Sequence, residues 1–113
     1  MLDDITSVTL NTALSALAER QRISANNLAN IETPNFTASQ VSFESSLRDA
    51  LAAGDPAQAS VSITATTDPA GVNGNNVNLD TETLSDIDTG LRYQLALKAM
   101  DSQFSVMKTA IGS

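Results

Sequence analysis

Apolar positions along the chain fall into two long helical patterns separated by a polar middle. Leu10, Leu14 and Leu17 are spaced four and three apart, and Leu28 and Ile31 resume that step after polar Gln21 and Ser24. Five alanines between Ala13 and Ala29 add helix propensity and small packing surfaces. Asp3 and Asp4 stand in the first turn, where the helix dipole favours negative charge. The pattern predicts one helix from residue 3 to about 31, ended by Thr33-Pro34, because Pro34 disfavours helical geometry at the preceding residue. Asn35 then stands where a turn asks for positive φ.

A second helix is predicted from residue 81 to about 111. Tyr93, Leu97, Met100, Phe104, Met107 and Ile111 keep a four-three spacing over nearly three heptads, which is a coiled-coil-like seam. Leu84, Ile87, Leu91 and Leu95 form another stripe, displaced around the helix, with Gly90 near the changeover as a possible bend. Asp80 is expected as the N-cap, and Leu79 with Leu84 as a hydrophobic staple. Two stripes imply two packing partners.

Between the long helices, Phe43, Leu47, Ala50 and Leu51 share one helical face, with Ser42 as expected N-cap and Gly54-Asp55-Pro56 as the stop. Residues 60–66 alternate polar and apolar, as a half-buried strand does. Residues 68–78 are rich in Asn, Gly and Pro and read as loop. The expected fold is therefore mainly α: long N- and C-terminal helices pairing as an antiparallel coiled-coil-like hairpin. A short helix, a short strand and a flexible loop lie between them. Residues 1–31 with 81–113 form the core of this plan, and 32–80 the intervening region. In such a hairpin Leu97, Met100, Phe104 and Met107 would pair with Leu10, Leu14 and Leu17. Leu84, Ile87, Leu91, Leu28 and Ile31 would remain for neighbours.

Composition narrows function by subtraction. A chain of 113 residues allows one small domain. Leu, Ile, Val and Phe make up about a quarter of it, little for a self-sufficient core. Six basic residues against thirteen acidic ones argue against a nucleic-acid backbone as partner. The excess is concentrated in residues 32–80, where six acids face Arg48 alone. Nearly neutral terminal segments suit burial against other chains. No apolar run approaches a membrane span, and Met1-Leu2-Asp3-Asp4 does not resemble the start of a cleaved secretory signal.

Candidate chemistry is sparse. The chain has no Cys and no His, so thiolate and imidazole metal sites, Ser-His-Asp triads and His acid–base catalysis lose their central residue. Asp86 and Asp88, two apart on a helix, point away from each other. The Asn-rich stretch from Asn73 to Glu82 lacks the ligand spacing of an EF-hand loop. Asn35-Phe36-Thr37 fits a glycosylation sequon without a secretory context. No Gly-rich phosphate loop is present. The sequence therefore predicts no enzyme, no cofactor, no metal and no small-molecule ligand.

The segment Ser24-Ala25-Asn26-Asn27-Leu28-Ala29-Asn30-Ile31-Glu32-Thr33-Pro34-Asn35-Phe36 resembles the signature of flagellar rod and hook proteins. In that family a helix ending Asn-(Leu/Ile)-Ala-Asn runs into Thr-Pro-Gly-(Tyr/Phe). Asn76-Val77-Asn78-Leu79-Asp80-x-Glu82, followed by Leu91-Arg92-Tyr93-Gln94, resembles the C-terminal portion of the proximal-rod member, and residues 36–54 are similar to it too. Residues 55–72 stand outside the likeness. Asn35 replaces the usual Gly, and the middle is shorter than is typical.

The resemblance implies a structural subunit of the flagellar basal-body rod in the periplasm. Such a subunit would be exported unfolded by the flagellar type III apparatus without a cleaved signal, and would polymerise through its terminal helices. Its implied partners are itself, other rod proteins, the basal-body membrane ring and the export gate. It also implies that Phe43 and Leu47, in Phe43-Glu44-Ser45-Ser46-Leu47, match a Phe-x-x-x-apolar element that docks on that gate. Two rivals are weaker. A small secreted helical hairpin acting as a soluble dimer shares the size and acidity, but the Trp-x-Gly turn of its best-known family is missing. A carboxylate-only enzyme needs two convergent acids in a pocket, and no spacing here supplies them.

Overall fold

The computed structural model describes residues 2–112, except for the side chains of residues 2–4, 107 and 110–112. Asp3, Asp4, Met107 and Ile111 therefore fall outside the described side chains. The elements in chain order are α1 (Leu2–Ala29), β1 (Ser39–Ser42), α2 (Glu44–Ala52), one 3-10 turn (Pro56–Gln58), β2 (Ser62–Ala65) and α3 (Leu79–Gly112). The two long helices pack together, and the molecule measures 63 × 27 × 14 Å.

Helix α1 ends in a series of tight turns. The Asn30 N–H is shared between the carbonyls of Asn26 and Asn27, Thr33 N–H donates to Asn30 C=O and Phe36 N–H to Thr33 C=O. Asn35 sits at φ 60°, the left-handed geometry expected of it, which Asn tolerates better than other non-glycine residues. Beyond the turns the chain enters β1, a strand the apolar pattern does not announce. It pairs antiparallel with β2 in the register Ser39–Ala65, Gln40–Thr64, Val41–Ile63 and Ser42–Ser62.

Four expectations change. Ser42 is taken up by pairing with Ser62, so it cannot cap α2; Phe43 occupies the cap position, and no side chain caps it. Strand β2 is exposed at every residue rather than half-buried, because β1 with its buried Val41 lies between it and α1. The cap of α3 is Asn78, not Asp80: its Oδ1 accepts from Thr81 N–H at 3.0 Å, and its C=O accepts from Glu82 N–H at 2.9 Å. Leu79 is thereby drawn into the helix, and both it and Leu84 are exposed, so they form no staple.

The stop after α2 forms as expected. Asp55 N–H reaches back to Ala50 C=O and Gly54 N–H to Leu51 C=O, with Gly54 at φ +80°. That is a Schellman ending, which requires the positive φ that Gly supplies without strain.

The core lies at one end of the helix pair. Ala16, Leu17 and Ile23 of α1 meet Val41 and Phe43, with Ala13, Leu47 and Tyr93 packed around them. Helix α3 runs unbroken through Gly90 but turns a mostly polar or small face inward: among its described residues Glu82, Ser85, Thr89, Gly90, Tyr93, Ala96, Met100 and Gln103 are buried or half-buried, mostly at three- and four-residue steps. Tyr93 and Met100 were expected on that face. Leu97 and Phe104, expected there too, are 41% and 68% exposed.

Candidate functional site: a polar clasp and a bare helix face

The two signature segments meet where α1 turns into β1 and α3 begins. Asn27, 1% exposed, is the centre. Its Nδ2 donates to Ser39 C=O at 2.8 Å and to Glu82 Oε1 at 2.9 Å, while its Oδ1 accepts from Ser39 N–H at 3.0 Å. Ser24 Oγ donates to Glu82 Oε2 at 2.9 Å. One side-chain amide thus ties α1, β1 and α3, and the carboxylate opposite it has both oxygens engaged. A buried polar group is tolerable only when satisfied, and these are.

Asn75 and Asn76 extend the clasp. Asn75 Nδ2 donates to the carbonyls of Asn30 and Thr33, both at 2.7 Å, and fastens the α1 turn. Asn76 Oδ1 accepts from Ala38 N–H at 2.7 Å, and its Nδ2 donates to Thr66 Oγ1 at 2.9 Å and Asp68 C=O at 3.2 Å. Asn35 N–H donates to Asn73 C=O at 2.9 Å. Gly74, at φ +80°, lies against Asn35 so closely that a Cβ would strike the Asn35 side chain and stand 3.2 Å from its Cα. The Asn-rich segment read as loop is ordered by these bonds.

A second polar group lies one turn earlier on α1. Arg20 makes a two-pronged pair with Glu44, Nη1 to Oε2 and Nη2 to Oε1, each 2.7 Å. Its Nη2 also donates to Val41 C=O at 2.9 Å, and its guanidinium lies 4.8 Å from the centre of the Phe43 ring. Bidentate charge-assisted bonds are strong for their kind. They pull the Glu44 carboxyl down to about 2, with Arg20 the largest cause, opposed by partial desolvation. Arg92 on α3 approaches the same carboxylate at 3.6 Å and pairs with Asp88 at 3.0 Å.

Between α1, β1 and α3 runs an open polar groove of about 280 Å³, walled by Arg20, Asn27, Gln40, Asn78, Glu82 and Arg92 among others. Most of its charged groups are engaged with each other or with α1. Among the described residues no group of three or more Asp or Glu could hold a metal ion, and no helix is long and apolar enough to cross a membrane.

The apolar candidates divide. Leu14 and Leu17 are buried, and Leu10, Leu28, Ile31, Tyr93 and Met100 are half-buried. Leu84, Ile87, Leu91 and Leu95 are 68%, 55%, 63% and 70% exposed, and with Leu97, Phe104 and Val106 they leave α3 apolar on its outside. Of the signature, Asn27 is buried and Asn30 and Phe36 are half-buried; Asn26, Ala29, Thr33, Pro34 and Asn35 are exposed. Phe43 is 6% exposed and Leu47 half-buried against it.

Residues that the sequence reading missed are Arg20, Glu44 and Asn75. Arg20 lies three residues after Leu17 on the buried side of α1, a charged residue in an apolar register, and that was the available signal.

Residues 9–37, from mid-α1 through the turn, match the family described as Flagella basal body rod protein. The chain is 33% identical over 115 residues to the flagellar basal body rod protein FlgB of Bacillus subtilis, covering 90% of this chain and 89% of that one. The chain belongs to the FlgB family of flagellar basal-body rod proteins. It is 29% identical over 122 residues to FlgB of Escherichia coli, with 89% and 88% covered, and 28% identical over 120 residues to FlgB of Salmonella typhimurium, with 88% and 87% covered. Membership makes it a structural subunit of the flagellar basal-body rod. The family match covers Ser24, Asn27 and the turn that Asn75 fastens, so it falls largely on the α1 side of the clasp.

Proposed function

We propose that this chain polymerises in the proximal, periplasmic rod through α1 and α3 after export by the flagellar type III apparatus. Its neighbours in that reading are further copies, other rod proteins and the basal-body membrane ring; it performs no catalysis. Residues 1–31 with 81–113 form the layer that pairs between subunits, and residues 32–80 the outward part.

The observation that carries the reading is the apolar outer face of α3. Leu84, Ile87, Leu91 and Leu95 stay more than half exposed in a chain whose core holds few large side chains. A contiguous apolar stripe of this kind marks a surface made to be covered. A polymer would cover it by setting this face against a different face of the next subunit, the heterologous contact that builds an open helix. The clasp would hold the hairpin register while the outer face of α3 is taken by neighbours.

Phe43 and Leu47 are the proposed docking element for the export gate. In the folded chain Phe43 lies in the core beneath Arg20, so docking uses the unfolded chain. The test is Leu97→Asp in a motile host, with secreted protein and assembled rods measured separately. Secretion should persist while rods are lost. Secretion failing together with assembly contradicts the separation of the two surfaces.

A further inference from the structure

The two edges of the β1–β2 ribbon are finished differently. In an antiparallel ladder hydrogen-bonded and non-bonded pairs alternate. The Thr66 N–H donates to Ala38 C=O at 2.9 Å, which sets ladder bonds at Gln40–Thr64 and Ser42–Ser62. The N–H and C=O groups of Ser39 and Val41 then point to the outer edge of β1, and those of Ile63 and Ala65 to the outer edge of β2. On β1 that edge is closed: Asn27 takes both polar groups of Ser39, and Arg20 donates to Val41 C=O. The sheet has only these two strands among the described residues, so the outer edge of β2 has no strand beside it. Val61 and Ile63 are 42% and 48% exposed. Two devices that often blunt an edge, charge and proline, are missing here: residues 57–67 contain no charged residue and no Pro.

We propose that the open edge of β2 pairs with the same edge of a second copy of this chain, antiparallel about a two-fold axis at Ile63. That register sets Ile63 against its counterpart and Val61 against Ala65, so the residues with outward-facing groups meet one another. It also sets Asp68 against Gln58 and Asp55 against Gly71, so no two acids face each other in a chain of net charge −7. The contact is isologous and closes on itself. It uses none of the α3 stripe and is therefore separate from rod polymerisation. One added strand pair buries well under the ~1,200 Å² of a stable interface, so the pair is weak and reversible. It strengthens with salt, which screens the repulsion of two acidic chains; a basic partner strand would instead bind more weakly as salt rises.

The absence of cysteine makes the test clean. Bonded antiparallel pairs hold Cα atoms ~5.5 Å apart, within disulfide reach. In the full chain under mild oxidation, Ile63→Cys should crosslink to itself at least ten-fold faster than Thr64→Cys, which that register sets against Ser62 rather than against its own counterpart. Val61→Cys mixed with Ala65→Cys should crosslink faster than either alone. In the unsubstituted chain the Ile63 and Ala65 amides should gain protection from exchange as concentration and salt rise. Equal crosslinking at positions 63 and 64, or amides that ignore concentration, overturns the proposal. A protection that fades with salt assigns the edge to a basic partner and overturns it too.

Discussion

Asn27→Asp is nearly isosteric, yet it should be among the most damaging single changes in this chain. The side-chain NH₂ at position 27 faces two acceptors, Ser39 C=O at 2.8 Å and Glu82 Oε1 at 2.9 Å. Replacing it by a carboxylate oxygen removes a bond to a neutral group, about 1 kcal/mol net, and one to a charged group, about 2 kcal/mol. It also sets a buried negative charge against Glu82 at a site 1% exposed. The expected cost is at least about 3 kcal/mol, a large part of the ~5–15 kcal/mol that holds a small domain together. Glu82→Gln alone should cost about 1 kcal/mol, since its NH₂ can turn away and its remaining oxygen still accepts from Asn27. In the double variant that NH₂ donates to the new carboxylate, so the combined cost should fall short of the sum by about 1 kcal/mol or more. Urea unfolding of the four proteins by circular dichroism measures all the terms. Additive costs, or an Asn27→Asp cost below about 1 kcal/mol, would refute the clasp as a stabilising unit.

Other outcomes follow from the same structure. Because Glu44 titrates at about 2 when folded and near 4.5 otherwise, its contribution is complete above about pH 4.5 and is lost as pH falls from there through 2. With the side chain 40% exposed, solvent limits that contribution to about 1 kcal/mol, and Glu44→Gln should flatten that part of an acid-unfolding curve. Gly74→Ala combines a left-handed backbone with a collision on Asn35 and should cost about 2 kcal/mol in urea unfolding, whereas Gly54→Ala, with open space around it, should cost only about 1 kcal/mol of backbone strain. Asn35→Gly should be neutral or stabilising and Asn35→Val destabilising by about 1 kcal/mol or more. Leu91→Asp, at a position 63% exposed, should leave monomer stability within about 0.5 kcal/mol while abolishing polymerisation in a sedimentation assay.

The long helices were legible because three- and four-residue apolar spacing persists over many turns, and the stops at Pro34 and Gly54 are local chemistry. The left-handed turn at Asn35 was legible for the same reason. Strand β1 was not: Ser39-Gln40-Val41-Ser42 holds one apolar residue, and its partners Asn27 and Arg20 are 12 and 21 residues away. Asn75 and Asn76 looked like turn formers, yet their amides bond backbone 45 and 38 residues distant. The inward face of α3 was misread in part because apolar stripes usually mark the interior of a chain. Here α1 offers Ser24 and Asn27 to Glu82 across the joint, so the matching face is polar, and the leucines point outward. Arg20 with Glu44 escaped notice because pairing across 24 residues leaves no periodic trace.

The most direct test is residue-resolved hydrogen exchange on the purified chain, with its mass state recorded at each concentration. The account predicts that, in the monomer, amides of residues 14–27 and 79–93 are held by the clasp and core. Those of residues 97–106 should exchange much faster and become protected on polymerisation. Uniform strong protection of 97–106 in a monomer, unchanged on association, would mean that α3 is already covered and would contradict the account.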